Sequence, residues 1–300
     1  MIPIQHRDLE KLAQRHWELI SKRDITDFSK KNYTNVLKWC RDRNVEFEAI
    51  VKAKPKELEK YAIQLKEDKY SSEIEKLKDL YADFAKATTQ YGTKDKPYNA
   101  YHLVKELGID VCPYCNRNYI YNIDEKTKKR TSEIDHFYPK EKYPFLAISF
   151  YNLIPSCKVC NHIKSSKKID LNPYDERYWN KEVLKFHLKI KDSKFYYDQN
   201  SIDIRISPKH EVIKANLKCF SLQSLYNSHK DQILELIQKQ ITYPDSYIDE
   251  LFQKYEGTFF RNREDVIRHL SSGIMEEENF HLRPLSKLTH DIAKELGLLD

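Results

Sequence analysis

The sequence is short of glycine, with five in 300 residues. A chain with so few glycines has few positions where its backbone turns left-handed without cost, which suits helices. No Gly-x-x-x-x-Gly-Lys-Ser/Thr phosphate loop is present, so any ATP hydrolysis linked to this protein belongs to another chain. No run of eighteen apolar residues occurs, which argues against a membrane-spanning helix. Met1 to Asp8 carries no signal-peptide core, and no internal repeat is visible. Neither sign of charge is extreme: 52 Lys and Arg against 46 Asp and Glu give a net charge of +6. That balance is compatible with nucleic acid but does not require it. The expectation is a cytoplasmic α+β protein, mostly helical.

Cysteine is used sparingly and in pairs. Of six cysteines, four form two Cys-x-x-Cys turns, Cys112/Cys115 and Cys157/Cys160. Two such turns complete a tetrahedral four-thiolate zinc (Zn²⁺) site. With all four positions taken by protein there is no open site for water, so this zinc is expected to be structural. Its binding would contribute folding free energy on the order of 10 kcal/mol. Cys40 and Cys219 are left over and are expected to be buried free thiols.

Between and beside the pairs lie the residues with chemistry. Thr131 to Phe137 reads as a strand carrying Glu133-Ile-Asp135-His136. Tyr119 to Ile123 reads as its partner, with Asp124 to Arg130 as the turn. Asn152-Leu-Ile-Pro155 is short, apolar and extended. Ser156 suits the N-cap of a helix that starts near Cys157 and carries Asn161 and Lys164.

This order resembles the HNH endonuclease family, whose sites are called ββα-metal folds: Asp-His, then Asn-Leu, then Cys-x-x-Cys-Asn-x-x-Lys. The resemblance covers Cys112 to Lys167 and includes a zinc staple. It implies a metal-dependent endonuclease that leaves a 5′-phosphate and a 3′-hydroxyl. His136 would be the general base that takes a proton from water. Asp135 and Asn161 would hold a catalytic Mg²⁺ or Mn²⁺ through hard oxygens. Asn152 would hydrogen-bond His136 or its backbone and fix its orientation. Asp135 and His136 are neighbours in a strand, so their side chains point to opposite faces. Lys164, and Lys128, Lys129 and Arg130 of the turn, are candidates for substrate phosphate. His162, beside Asn161, reads as a residue that approaches the metal or, in preference, one that faces solvent or phosphate.

The flanks are read as support. Residues 1–105 form a helical region, 106–175 the HNH unit, and 176–300 a small hairpin or sheet followed by helices. In the first region Asp27 or Ser29 would cap a second helix. A long helix would run from Ser71–Ser72 to about Thr89 and end at Gly92. Pro97 would start a helix that stops at Gly108. Two strands are expected over Val183–Ile190 and Lys194–Ile206. Helices should follow at about 209–218, 222–241, 245–255, 263–271 and 285–297. Arg283, Lys287 and His290 read either as a basic edge or as the polar exterior of a Pro-initiated helix.

The unit followed by Asn172-Pro-Tyr-Asp175 and a helical tail also resembles HNH proteins of bacterial antiphage defence, such as Septu-type and retron-associated nucleases. That resemblance implies an ATPase partner that controls cutting. DNA is the favoured substrate. An RNase, for example one acting on tRNA, and a non-catalytic zinc-dependent nucleic-acid-binding module remain the alternatives.

Overall fold

Helix starts and stops follow the punctuation of the chain. The computed structural model describes every residue except 22–29, 87–90, 94–95, 272 and 300. It divides into two compact units. One comprises Pro3–Pro113 and Tyr119–Asn180; the other comprises Met1–Ile2, Tyr114–Asn118 and Lys181–Asp300. Among the described residues no helix is long and apolar enough to cross a membrane.

The first unit opens with α1 (Leu9–Ser21), α2 (Lys30–Arg41), α3 (Phe47–Lys52), α4 (Pro55–Gln64), α5 (Ser72–Glu75) and α6 (Leu77–Ala85). On α1 the buried side is Leu9, Ala13, His16 and Ile20, a stripe at helical spacing. Pro55 fills the first position of α4, where its missing N–H costs nothing. Glu57 reaches back to accept from the Lys54 N–H at 3.0 Å. The single helix expected from Ser71 is interrupted at Lys76 into α5 and α6, and Ser71 makes no side-chain cap. The proposed caps at Asp27 and Ser29 and the helix end near Thr89 lie outside the described residues.

Gly92 and Pro97 do not bound helices. They lie in β1 (Tyr91–Thr93) and β2 (Lys96–Tyr98), which pair antiparallel. Helix α7 (Ala100–Leu107) starts later because the Asn99 side chain accepts from the Tyr101 N–H at 3.0 Å. An Asn cap satisfies an amide at the helix end, which Pro97 cannot do. Gly108 stops the helix in the left-handed conformation, φ 63°, as anticipated.

The strand pairing also differs from the sequence reading. β3 (Asn122–Asp124) pairs with β4 (Lys129–Arg130), as a separate small ribbon. β5 (Ser132–His136) instead pairs antiparallel with β6 (Leu153–Cys157), in the register Asp135↔Ile154 and His136↔Leu153. Burial explains the choice. Every residue of β6 is buried, and β5 is buried at all positions but Glu133. By contrast Tyr119, Tyr121 and Ile123 are exposed, so that segment suits a solvent-facing ribbon rather than an inner strand. Helix α8 (Lys158–Lys164) follows β6 directly.

The link from β5 to β6 forms the core of this unit. Phe145 lies with its ring centroid 5.8 Å from both Trp39 and Tyr70. Phe150 lies against His16 and Tyr174. The Ser149 hydroxyl donates to the Ile50 carbonyl at 2.8 Å. The N-terminal helices therefore build the wall against which the link packs.

The second unit carries β7 (Leu184–Ile190) and β8 (Ile202–Pro208), paired antiparallel along their whole length. Lys194 to Ser201 is turn rather than strand, and Asp198 caps its last part by accepting from the Asn200 N–H. Then come α9 (Lys214–Cys219), α10 (Leu222–Tyr226), α11 (Lys230–Thr242), α12 (Asp245–Tyr255), α13 (Arg263–Ser271) and α14 (Ser286–Glu295). The helix expected over 222–241 breaks into a tighter turn at Asn227–His229; at the same place the Asn227 side chain accepts from the Ile204 N–H at 2.9 Å. On α14, buried Asp291 accepts from the Phe186 N–H and from Lys287, each at 2.9 Å. That pairing draws Lys287 inward, so no basic edge forms there. Cys40 is buried, Cys219 only half-buried, and neither is in a disulfide.

Candidate functional site

The four paired cysteines converge. Their sulfurs all lie within 4.8 Å of one another, and none of the four residues is more than 5% exposed. Zinc–sulfur bonds of about 2.3 Å in a tetrahedron put sulfurs about 3.8 Å apart, so the cluster fits a zinc ion with little adjustment. Cys157 has a second task. It is the N-cap of α8, and its sulfur accepts from the Cys160 N–H at 3.5 Å. Ser156, the expected cap, lies one residue earlier inside β6.

Strand alternation then sorts the polar residues of β5. Glu133 and Asp135 face α8. The Asn161 amide donates to a Glu133 carboxylate oxygen at 2.7 Å, which leaves the Asn161 Oδ1 without a hydrogen-bond partner among the described residues. Asp135 is 2% exposed and pairs with the Lys164 ammonium at 3.1 Å. Lys164 is completely buried and also donates to the His136 carbonyl at 2.6 Å. It is thus an internal ion-pair partner, not a surface cation placed for substrate phosphate.

His136 occupies the opposite face. It is 6% exposed, and its Nε2 lies 2.9 Å from the Ala147 carbonyl. A carbonyl only accepts, so Nε2 carries the proton and Nδ1 keeps the lone pair. Burial pulls the imidazole pKa down to about 3, only partly countered by that bond. The ring is therefore neutral at ordinary pH. Tyr81 of α6 packs edge-on against it at 4.2 Å and donates its hydroxyl to the Ile134 carbonyl at 3.1 Å.

Asn152 does not bond to His136. Its Oδ1 accepts from the Tyr138 N–H at 2.7 Å, and its amide donates to the Tyr138 and Leu146 carbonyls at 3.1 and 2.9 Å. It clamps the two ends of the loop that carries Ala147, and so holds the imidazole indirectly. Asn172 and Tyr174 secure the same region, donating to the Tyr151 and Leu153 carbonyls at 3.0 and 3.2 Å.

The basic hairpin is mixed in orientation. Lys129 is exposed. Lys128 lies 5.2 Å over the Tyr101 ring. Arg130 is turned inward and donates to the Ala85 carbonyl at 3.3 Å, and burial lowers its pKa. His162 is exposed.

Two further residues, Glu133 and Tyr81, shape the site. Glu133 was legible, because it shares a strand face with Asp135 two residues away. Tyr81 was not, since it arrives from a distant helix. The chemistry the arrangement offers is oxygen donors on β5 and α8, with a neutral, backbone-anchored imidazole on the other face of β5.

Over 104 aligned residues the chain is 36% identical to the Septu protein PtuB of Bacillus thuringiensis. The match takes in 33% of this chain and 38% of that relative, so the chain spans well under half of the relative's length. No family model matches the chain, and no solved structure matches it.

Proposed function

We propose that this protein is a metal-dependent HNH-type endonuclease that hydrolyses phosphodiester bonds in DNA. The observation that carries the reading is the state of His136. It is neutral, its Nε2–H is tied to the Ala147 carbonyl at 2.9 Å, and its Nδ1 lone pair is left to act as a base. Nδ1 accepts a proton from the attacking water, and the fixed ring orientation makes that transfer directional.

On this reading the donor chemistry is that of a hard divalent cation. The Asp135 carboxylate and the Asn161 Oδ1 are oxygen donors on adjacent elements, and Glu133, which holds the Asn161 amide, turns that oxygen away from itself. Mg²⁺ or Mn²⁺ bound there would neutralise charge developing on the phosphate and lower the pKa of water. Lys164 holds Asp135 and the backbone of His136 in one geometry from inside. The four-cysteine cluster would hold structural zinc and set the position of α8.

The likeness to the Septu protein PtuB supports a role in antiphage defence. In that setting an ATPase partner would control when cutting occurs, in keeping with the lack of a phosphate loop in this chain.

The test is cleavage of supercoiled plasmid and of total tRNA in Mg²⁺, in Mn²⁺ and in EDTA, with His136→Ala alongside. The expected result is EDTA-sensitive nicking of plasmid that the variant lacks. Cleavage of tRNA alone would move the reading to an RNase. Folded, zinc-loaded protein that cuts neither substrate, even with its partner added, would leave a binding module.

A further inference from the structure

The segment Tyr119–Tyr121 that leads into the β3–β4 ribbon has no part in the site described above. Alternation along the chain puts Tyr119, Tyr121 and Ile123 on one face, where they are 42%, 41% and 63% exposed. Large apolar side chains gathered in this way on a surface mark a binding face. The two tyrosine rings stack on each other, with centroids 4.5 Å apart and planes 21° from parallel.

The charge around them is positive. Lys126 and Lys129 are exposed at the end of the ribbon and make no ion pair among the described residues. Of the neighbouring acids, Glu125 pairs with Lys105 at 2.8 Å. Asp124 accepts from the Thr127 hydroxyl and the Lys126 N–H, both at 2.8 Å. A stacked aromatic face with cations at its end matches an unpaired nucleic-acid strand, which offers flat base faces beside a line of phosphates. A duplex keeps its base faces inside its own stack and presents only edges.

We propose that this ribbon docks unpaired nucleotides of a DNA strand, with bases against Tyr119 and Tyr121 and phosphates against Lys126 and Lys129. The choice of DNA rests on the nuclease reading; the preference for unpaired over paired strands is the addition.

The experiment is fluorescence anisotropy of the full chain with a labelled twelve-nucleotide oligo-dT and with the same strand in a duplex. No Mg²⁺ or Mn²⁺ is added, so nothing is cut. The paired variant Tyr119→Ala with Tyr121→Ala should weaken single-strand binding about tenfold or more, and duplex binding by less than about twofold. The paired variant with Phe at both positions should bind like the parent, since stacking survives loss of the hydroxyls. Lys126→Ala with Lys129→Ala should make the salt dependence shallower, by about 0.7 in log–log slope per lysine.

Parent-like single-strand binding by the alanine pair would overturn the proposal. So would equal losses on single strand and duplex, or a phenylalanine pair as weak as the alanine pair. A loss of self-association in sedimentation with DNA binding unchanged would assign the face to a second copy of the chain instead. The two readings fail separately. Tyrosine-dependent binding by a protein that cuts nothing sinks the nuclease and leaves the docking face. His136-dependent cutting with tyrosine-independent binding does the reverse.

Discussion

The Lys164 ammonium lies 3.1 Å from the Asp135 carboxylate, with the two side chains 0% and 3% exposed. Two opposite charges placed so deep are held by each other and by the His136 carbonyl. Removing one leaves the other charged and dry. Lys164→Ala should therefore destabilise the fold by about 3–5 kcal/mol, more than an exposed pair, whose loss costs about 1 kcal/mol or less. Urea unfolding of this variant beside Lys11→Ala, whose pair with Asp8 is on the surface, makes the comparison. Equal losses would mean that the buried pair is not formed.

His136→Ala should lower the rate of plasmid nicking by about 10²–10⁴-fold, the range for losing a general base. The pH profile of the parent carries a further signature. With the imidazole held down at about 3 by burial, the base stays unprotonated through the range in which DNA cleavage is assayed. The rate should not fall on the acid side with an apparent pKa near 6.5, the ordinary value for histidine. An acid limb at 6.5 that disappears in a variant retaining partial activity would place the imidazole in solvent.

Metal analysis of the purified chain should find one zinc, retained through gel filtration. Cys157→Ser should lose it and lower the thermal transition, because the remaining thiols are buried with an incomplete ligand set. Far-ultraviolet circular dichroism during chelation tracks the same loss. Retention of full stability without zinc would mean that packing alone holds the cysteines together.

His16 gives a prediction about acid. Its Nε2 donates to the Ile148 carbonyl at 2.9 Å, and its Nδ1 accepts from the Tyr98 hydroxyl at 2.8 Å. Burial lowers its pKa to about 4 from 6.5. The unfolded chain therefore binds more protons between those values, so stability is fullest above pH 6.5 and falls as pH drops toward 4. Between pH 7 and pH 5 the loss from this residue is about 2 kcal/mol. A His16→Gln variant should show a shallower dependence over that interval, whatever its absolute stability, by urea unfolding at several pH values.

Much of the site could be read from residue types and spacing. The cysteine pairs meet because two-residue turns aim both sulfurs at one point. Asp135 and His136 diverge because consecutive strand residues must. The strand partner was misjudged because turn chemistry at Asp124–Arg130 points to a local hairpin, which does form, but over β3 and β4. The exposure of Tyr119, Tyr121 and Ile123 separates that segment from the fully buried Leu153–Cys157, but Tyr-Ile-Tyr-Asn-Ile alone does not show it. Residue type alone makes Lys164 a surface cation, because lysine usually is one. Only the position of Asp135 across from it reveals the burial. The roles of Tyr81 and Asn152 depend on where the link from β5 to β6 lands against the N-terminal helices, and no local pattern encodes that.

Helix α8 has seven residues, too few to persist alone in water. Its first turn is held by Cys157 and Cys160, and Asn161 comes immediately afterwards. Each residue along a helix rotates its side chain by about 100°, so the two sulfurs dictate the compass bearing of the carboxamide. If the cluster holds zinc and the proposed function stands, supply of zinc to the cell would act upstream of any partner signal. A chain made under zinc starvation would keep the buried β5–β6 ribbon and its histidine, yet hold the asparagine on no fixed heading. On the function proposed above, such a chain would be assembled but unaimed, and harmless to the DNA of the cell that made it.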